Sequence, residues 1–310
     1  MKAKKIIIIL LIIILASSLL ILIFFDIKKY EKSGIIKNTS EAASEQIKIE
    51  TYDNNFSVEF SEDDSSVLNL EKGLKPVLEQ DLKDAGDHFL GEWSAYVCVP
   101  SENQSIVIND RKMQAASTIK LYVMGKVYDE YDDITKKYGK KEVDSLVKSM
   151  ITLSDNEDTD ELVYMLGRGK SADGLKKVTE YCKSLSLNNS SMGRMMQSDN
   201  NVSDNYTSSH DLGIFLEMIL NDELPHSNEM LDLLKAQTRK SKIPDGIPSN
   251  VMTANKTGEL DDVENDAAII FTEPPYIFCI MSDGMSGYQA PIDLIADMST
   301  DVYNYIAPRV

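Results

Sequence analysis

The sequence predicts an α+β protein whose sheet is assembled from both ends of its globular part, with a block of helices inserted between. Three observations carry this. Strand-like runs occur at 93–99 and 105–108 and return only after Val251, at 251–257, 267–272 and 276–282. The stretch between them repeats its apolar residues at three and four spacing, the period of helices packed on a core. The chain has 310 residues, 43% apolar and 26% charged, so it can bury a sizeable core and is not disordered throughout.

From the N-terminus, residues 6–25 carry no charge, and at a rise of about 1.5 Å each they match the ~30 Å of a bilayer's hydrocarbon. Lys2, Lys4 and Lys5 precede them, so the short tail 1–5 is expected inside and everything after Asp26 outside, as a single-pass anchor in a cell membrane. A cleavable signal peptide is the competing reading, but its apolar core is shorter, roughly 7 to 15 residues, and ends in a small-x-small site. Here Phe24, Phe25 and Asp26 follow instead. Residues 26–67 are polar and acidic and read as a tether, with weak alternation between Ile47 and Phe60.

The globular region is expected over 68–310. It opens with Leu68, Leu70, Leu74, Val77, Leu78 and Leu82, one helix lying on a core. Two strands joined at Pro100 and Asn103 come next. Helices are expected at 119–131, 141–153, 158–166 and 172–185, then at 209–220 and 228–236, making an inserted helical subdomain of about 118–242. Gly167 suits a helix C-terminus, and Thr207 to Ser209 suit an N-cap. A helix at 291–306 ends the chain.

Several signals are set aside. The balance of 50 acidic against 32 basic residues, −18 overall, repels polyphosphate and argues against nucleic acid as a partner. Gly169-Lys170-Ser171 resembles the end of a phosphate-binding loop, but Tyr164 stands where the first glycine is required. The acidic runs 155–161 and 199–204 lack the glycine and terminal glutamate of a calcium loop. His88, His210 and His226 have no metal-ligand or triad spacing, and no metal or cofactor is expected. Met192, Met195 and Met196 read as core. Cys98, Cys182 and Cys279 cannot all pair and give no disulfide scaffold.

Chemistry concentrates in three short motifs in order: Ser117-Thr-Ile-Lys120, Ser154-Asp-Asn156 and Lys256-Thr-Gly258. Ser117 would open a helix behind Ala115-Ala116, near the positive end of its dipole, with Lys120 one turn on from the same face. A serine hydroxyl is a poor nucleophile until a base takes its proton, and a lysine serves only when neutral. Burial beside a second cation such as Lys256 would bring Lys120 down toward working pH. Ser154 and Asn156 fall at a break between helices, placed for proton relay and amide hydrogen bonding. Lys256 and Thr257 close an edge strand and offer paired donors to a substrate carboxylate. Gly258 permits close approach, and the N–H groups of Ser117 and Glu259 are placed to hold an oxyanion.

From about Leu70 to the C-terminus the sequence resembles the class A β-lactamases and related serine hydrolases, through these motifs, 243–248 before the third and 265–269 after it. The resemblance implies a five-stranded antiparallel sheet flanked by the terminal helices, an all-helical domain opposite, and the site in the cleft between. It implies Ser117 as nucleophile, Lys120 as base, Ser154 as proton shuttle, Asn156 as substrate binder and Lys256 with Thr257 as carboxylate anchor. Two departures stand out. The stretch from Lys120 to Ser154 is short, which suggests a trimmed helical domain. The loop 193–204, which in that family carries a glutamate activating the deacylating water, has none here; Arg194 and Asp204 can close it, Gln197 is no base, and Asp199 is only a candidate. The expected activity is hydrolysis of a β-lactam amide with slow deacylation. A D-alanyl peptidase or transpeptidase acting on cell-wall peptide is the first alternative, and a receptor domain without catalysis the second.

Overall fold

The computed structural model of the protein describes residues 68–198, 203–286 and 289–307. By its contacts the chain divides into Met1–Phe60 and Ser61–Val310, and every described residue lies in the second unit. The expected anchor 6–25, the tether and Asp199 are outside the described residues. Among those described, no helix is long and apolar enough to cross a membrane.

The first amphipathic run begins as a π-helical turn, Leu70–Leu74, capped by the Asn69 side chain on the Lys72 amide. It continues as α1 (Lys75–Phe89), which outlasts the expected helix by about two turns and buries Leu78, Leu82 and Ala85. Strands β1 (Glu92–Val99) and β2 (Gln104–Ile108) follow, joined through a left-handed Asn103. After the two-residue β3 (Met113–Gln114) come α2 (Lys120–Asp129), α3 (Tyr131–Tyr138), α4 (Lys140–Thr152), α5 (Asn156–Leu166) and α6 (Ser171–Ser184). Then β4 (Tyr206–Thr207), which pairs with β3, leads to α7 (Ser209–Leu220) and α8 (Ser227–Lys235). The chain returns to the sheet as β5 (Thr253–Leu260), β6 (Val263–Ile270) and β7 (Tyr276–Asp283), and closes with α9 (Gln289–Ile306).

The five-stranded sheet has the order β2-β1-β7-β6-β5, every pair antiparallel. Side chains alternate across it. Trp93, Ala95, Val97 and Val99 of β1 join Leu74 and Leu78 of the first helical segment and Ile295 and Val302 of α9 in one core. Tyr96 and Cys98 of the same strand face the inserted helices, in a core with Leu121, Phe215 and Ile277. The α+β architecture and the sheet split between chain ends are therefore as expected.

Three expectations need correction. The helix expected at 119–131 is α2, but Ser117, expected to open it, lies in a tight 3-10 turn over 116–119, and a further helix, α3, starts at Tyr131. Lys256 and Thr257 lie on the edge strand but in its middle, because β5 runs on to Leu260. Likewise β6 starts four residues before Ala267, since polar Asn265 and Asp266 are buried in the strand with partners. Asn255 Nδ2 donates to Asp266 Oδ1 at 3.1 Å, and Asn265 Nδ2 to the Gln114 carbonyl at 2.9 Å. The pair β3 and β4 is too short to carry a period. The three cysteines are buried and free.

Candidate active site

The nucleophile motif sits on a strained and heavily pinned turn. Ala116, just before Ser117, has φ +47°, a left-handed value that costs a non-glycine residue about 1–3 kcal/mol. Neighbouring contacts hold it there: Ala115 N–H donates to Asn205 O, Thr118 N–H and its hydroxyl both donate to Ala115 O, and Asn265 Nδ2 reaches the same carbonyl at 3.2 Å. Ser117 is left half-buried at the start of the helical segment.

One turn on, Lys120 is fully buried. Its ammonium lies 3.1 Å from Ser117 Oγ, 2.7 Å from Ser154 O, 3.2 Å from Ser154 Oγ and 2.7 Å from Asn156 Oδ1. The second motif reaches it from the break between α4 and α5, where Ser154 takes φ +62° and Asp155 caps α5 on the Asp158 amide. Across the cleft, Lys256 Nζ from β5 donates to Ser154 Oγ at 2.9 Å and to Thr257 O at 2.7 Å. One hydroxyl thus bridges two amines, one from the helical part and one from the sheet.

Gly258 packs directly on the nucleophile turn. A Cβ there would stand 2.8 Å from Ala115 O, 3.0 Å from Thr118 N and 3.1 Å from Ser117 N. Backbone against backbone cannot give way, so only glycine lets β5 lie this close. Asn156 is exposed, Thr257 is buried, and Glu259 is half-buried with its carboxylate on Arg239 at 2.6 Å. The structure therefore brings Ser117, Lys120, Ser154, Asn156 and Lys256 together, with Thr257 next along β5 and Gly258 against the Ser117 turn.

Burial pushes the Lys120 amine down to about 7; the carboxylates of Asp155 and Asp160 oppose this, and Arg239 adds to it. Lys256 is driven well below its ordinary value by burial first and by the charge of Lys120 second. The sequence reading expected Lys256 to act on Lys120. The two amines lower each other across their shared neighbour Ser154, and Arg239, whose place depends on the fold, adds to the effect on both.

The loop 193–204 closes as expected, Arg194 Nε donating to Asp204 Oδ1 at 2.8 Å. Its opening residues are tied to Asn205 Oδ1 through the Gly193 and Arg194 amides, at 3.0 and 3.1 Å. It is also clamped to α5: Met196 N–H donates to Asp160 Oδ1 at 2.6 Å and Gln197 N–H to Asp160 Oδ2 at 3.1 Å. Asp160 lies one helical turn beyond Asn156, so the loop is tied to α5 one turn past the residue that Lys120 contacts. Among the described loop residues the only carboxylate is Asp204, which is paired to Arg194.

Sequence reasoning missed Asp160, Arg239, Lys240 and Lys242. Lys240 donates to Asn255 Oδ1 at 2.8 Å, and Lys242 is fully buried behind β5. Their signal was present: Arg239-Lys240-Ser241-Lys242 is a cationic run in a chain of net charge −18.

Residues 132–306 match the model of the beta-lactamase enzyme family. The chain belongs to that family. It is thereby a serine hydrolase of β-lactamase type, with Ser154, Asn156 and Lys256 to Gly258 inside the matched span and Ser117 and Lys120 just before it. A search of curated protein sequences returns no match. Among solved structures the fold is similar to PBP-A, at 19% identity and TM-score 0.65 over 74% of this chain and 96% of that one. It is also similar to a beta-lactamase from Sphaerobacter thermophilus, at 18% identity and TM-score 0.64 over 77% of this chain and 97% of that one. The class A beta-lactamase of the last common ancestor of Gram-negative bacteria matches at 21% identity and TM-score 0.63, over 74% of this chain and 98% of that one.

Proposed function

We propose that this family member is a membrane-anchored enzyme that opens β-lactam amides through an acyl-enzyme on Ser117 and releases the product slowly. The observation that carries the reading is the shared contact of Lys120 with Ser117 Oγ at 3.1 Å and of Lys120 and Lys256 with Ser154 Oγ at 3.2 and 2.9 Å. With its amine near 7, Lys120 is substantially neutral at working pH and accepts the Ser117 proton. The Ser117 oxygen then bonds to the lactam carbonyl carbon. The carbonyl electron pair moves to oxygen, where the Ser117 and Glu259 N–H groups receive it. Collapse breaks the C–N bond, and Ser154 Oγ–H gives its proton to the leaving nitrogen, recovering one from the Lys120 ammonium. Lys256 and Thr257 anchor the substrate carboxylate, and Asn156 holds the side-chain amide.

Among the described residues of the loop 193–204, no carboxylate is left over to act as base in the second half-reaction, Asp204 being paired with Arg194. General-base help is typically worth about 10² to 10⁴ in rate, so hydrolysis of the acyl-enzyme is expected to limit turnover. The same feature favours a second reading, a D-alanyl peptidase or transpeptidase on cell-wall peptide, in which the acyl group passes to an amine. The outward location rests on the uncharged segment 6–25 behind three lysines.

The test uses the chain lacking residues 1–25 with a chromogenic cephalosporin. One equivalent of product in a burst followed by a slow phase, with a mass adduct lost in Ser117→Ala, supports the reading. Fast sustained turnover removes the deacylation claim. Absence of any adduct removes the enzyme reading in favour of a receptor domain. Release of D-alanine from a peptide faster than turnover of the β-lactam selects the peptidase.

A further inference from the structure

We infer that Lys242, outside the three motifs, is a positioning residue that orients and polarises the peptide group between Gly258 and Glu259, the group whose N–H serves the oxyanion. The inference rests on the acyl-enzyme reading above. Lys242 lies before β5 and has no exposed side-chain surface. Its ammonium donates to Gly258 O at 3.3 Å and to Asn265 O at 3.1 Å, carbonyls of directly opposed residues of β5 and β6. Its charge is met by Glu264 Oε2 at 2.5 Å and Glu259 Oε1 at 3.3 Å.

Gly258 C=O and Glu259 N–H belong to one peptide unit. The bond is trans, the sole cis peptide among the described residues being Glu273-Pro274, so the two groups point in opposite directions. A cation fixed on the carbonyl side therefore aims the N–H away from β6 and toward the cleft. Hydrogen bonds in series strengthen one another, so donation to the carbonyl also makes the N–H a better donor. The geometry on the other side agrees: a Cβ on Gly258 would stand 3.1 Å from the Ser117 nitrogen, and Asn265, whose carbonyl Lys242 also holds, donates through Nδ2 to Gln114 O and Ala115 O. Lys242 thus acts on both strands that frame the oxyanion donors. A buried lysine is an expensive choice for a purely structural peg, since methionine of similar length would fill the space without desolvating a charge.

The experiment compares the wild-type soluble chain with Lys242→Met and with Lys242→Met/Glu264→Gln, the second removing the buried carboxylate at 2.5 Å and leaving Glu259 paired with Arg239. Three quantities are read on one slow β-lactam: the noncovalent dissociation constant, the acylation rate constant, and the infrared stretch of the acyl-enzyme carbonyl. Removing an oxyanion donor outright costs about 10² to 10³ in rate, so weakening one is expected to slow acylation about tenfold. The noncovalent constant, set by Lys256 and Thr257, should stay within about twofold, and the carbonyl band should move to higher wavenumber. Unchanged acylation and band in either folded variant overturns the inference. So does a parallel loss of binding and acylation with the band in place, which marks a merely structural role. If the single variant does not fold, the double variant carries the test. A wild-type chain that forms no adduct instead overturns the proposed function, which keeps the two failures distinct.

Discussion

The two walls of the cleft differ in how complete they are. On the wall built from the nucleophile turn, the α4–α5 break and β5, each reactive group has a partner at hydrogen-bond distance, and two amines converge on Ser154 Oγ. On the loop wall, the hydrogen bonds go to shape: Arg194 to Asp204, Asn205 to two amides, Asp160 to two more. The first wall is equipped to move protons and the second is held closed with an apolar Met196 where it meets α5. Bond-making and bond-breaking at the acyl stage depend on different walls, so they are expected to respond to different substitutions.

The largest expected effect is on the first wall. Gly258→Ala would push β5 off the nucleophile turn, since its Cβ meets backbone atoms at 2.8 to 3.1 Å. Misplacement of this order costs about 10² in rate, read as slower acylation by stopped flow with deacylation unchanged. An unaltered acylation rate would break the link between that contact and catalysis. The complementary change is Met196→Glu on the loop wall. It is expected to speed hydrolysis of the acyl-enzyme about 10- to 100-fold without raising acylation, measured as loss of the adduct after excess β-lactam is removed. No acceleration would place the deficit elsewhere.

Stability sharpens the comparison further. Lys120 is about 7 in the folded chain against 10.5 as a reference, so between those values the unfolded state holds more protons and stability rises with pH. Lys120→Met is therefore expected to raise the melting temperature by about 4 °C or more at pH 6, with the gain shrinking toward pH 10, while acylation is lost. A destabilised variant at pH 6 would contradict a strained, function-driven burial. The smallest effect concerns the cleft rim. Acylation should rise as pH increases through about 7, where Lys120 becomes neutral, and then level off. Removing Arg239, which helps hold Lys120 down, should move that midpoint upward by under about one pH unit, and less at high salt. A downward movement would refute the assignment of Lys120 as base.

Much of the site was readable before any coordinates, because its chemistry is local in sequence. A hydroxyl and an amine three residues apart share a helical face whatever the rest of the chain does, and a polar break between two amphipathic runs exposes Ser154. The strand alternation of β1 is equally local. By contrast, polar Asn265 and Asp266 masked the start of β6, because only their buried partners show that a strand can hold them. Asp160, Arg239 and Lys242 were overlooked for the same reason: a charge has no visible role in a sequence until its counterpart is in place.

By itself, then, the chain's order of residues determined the α+β layout, the three motifs and the missing loop glutamate, all properties of periodicity and of neighbours within a helical turn. Only the tertiary structure decided which charges meet. It added Arg239 to the cations that bear on Lys120, clamped Met196 to Asp160, and set Lys242 behind Gly258. Coulomb and hydrogen-bond energies depend on distance and burial, and both are fixed when segments more than a hundred residues apart, such as Ser154 and Lys256, are packed together.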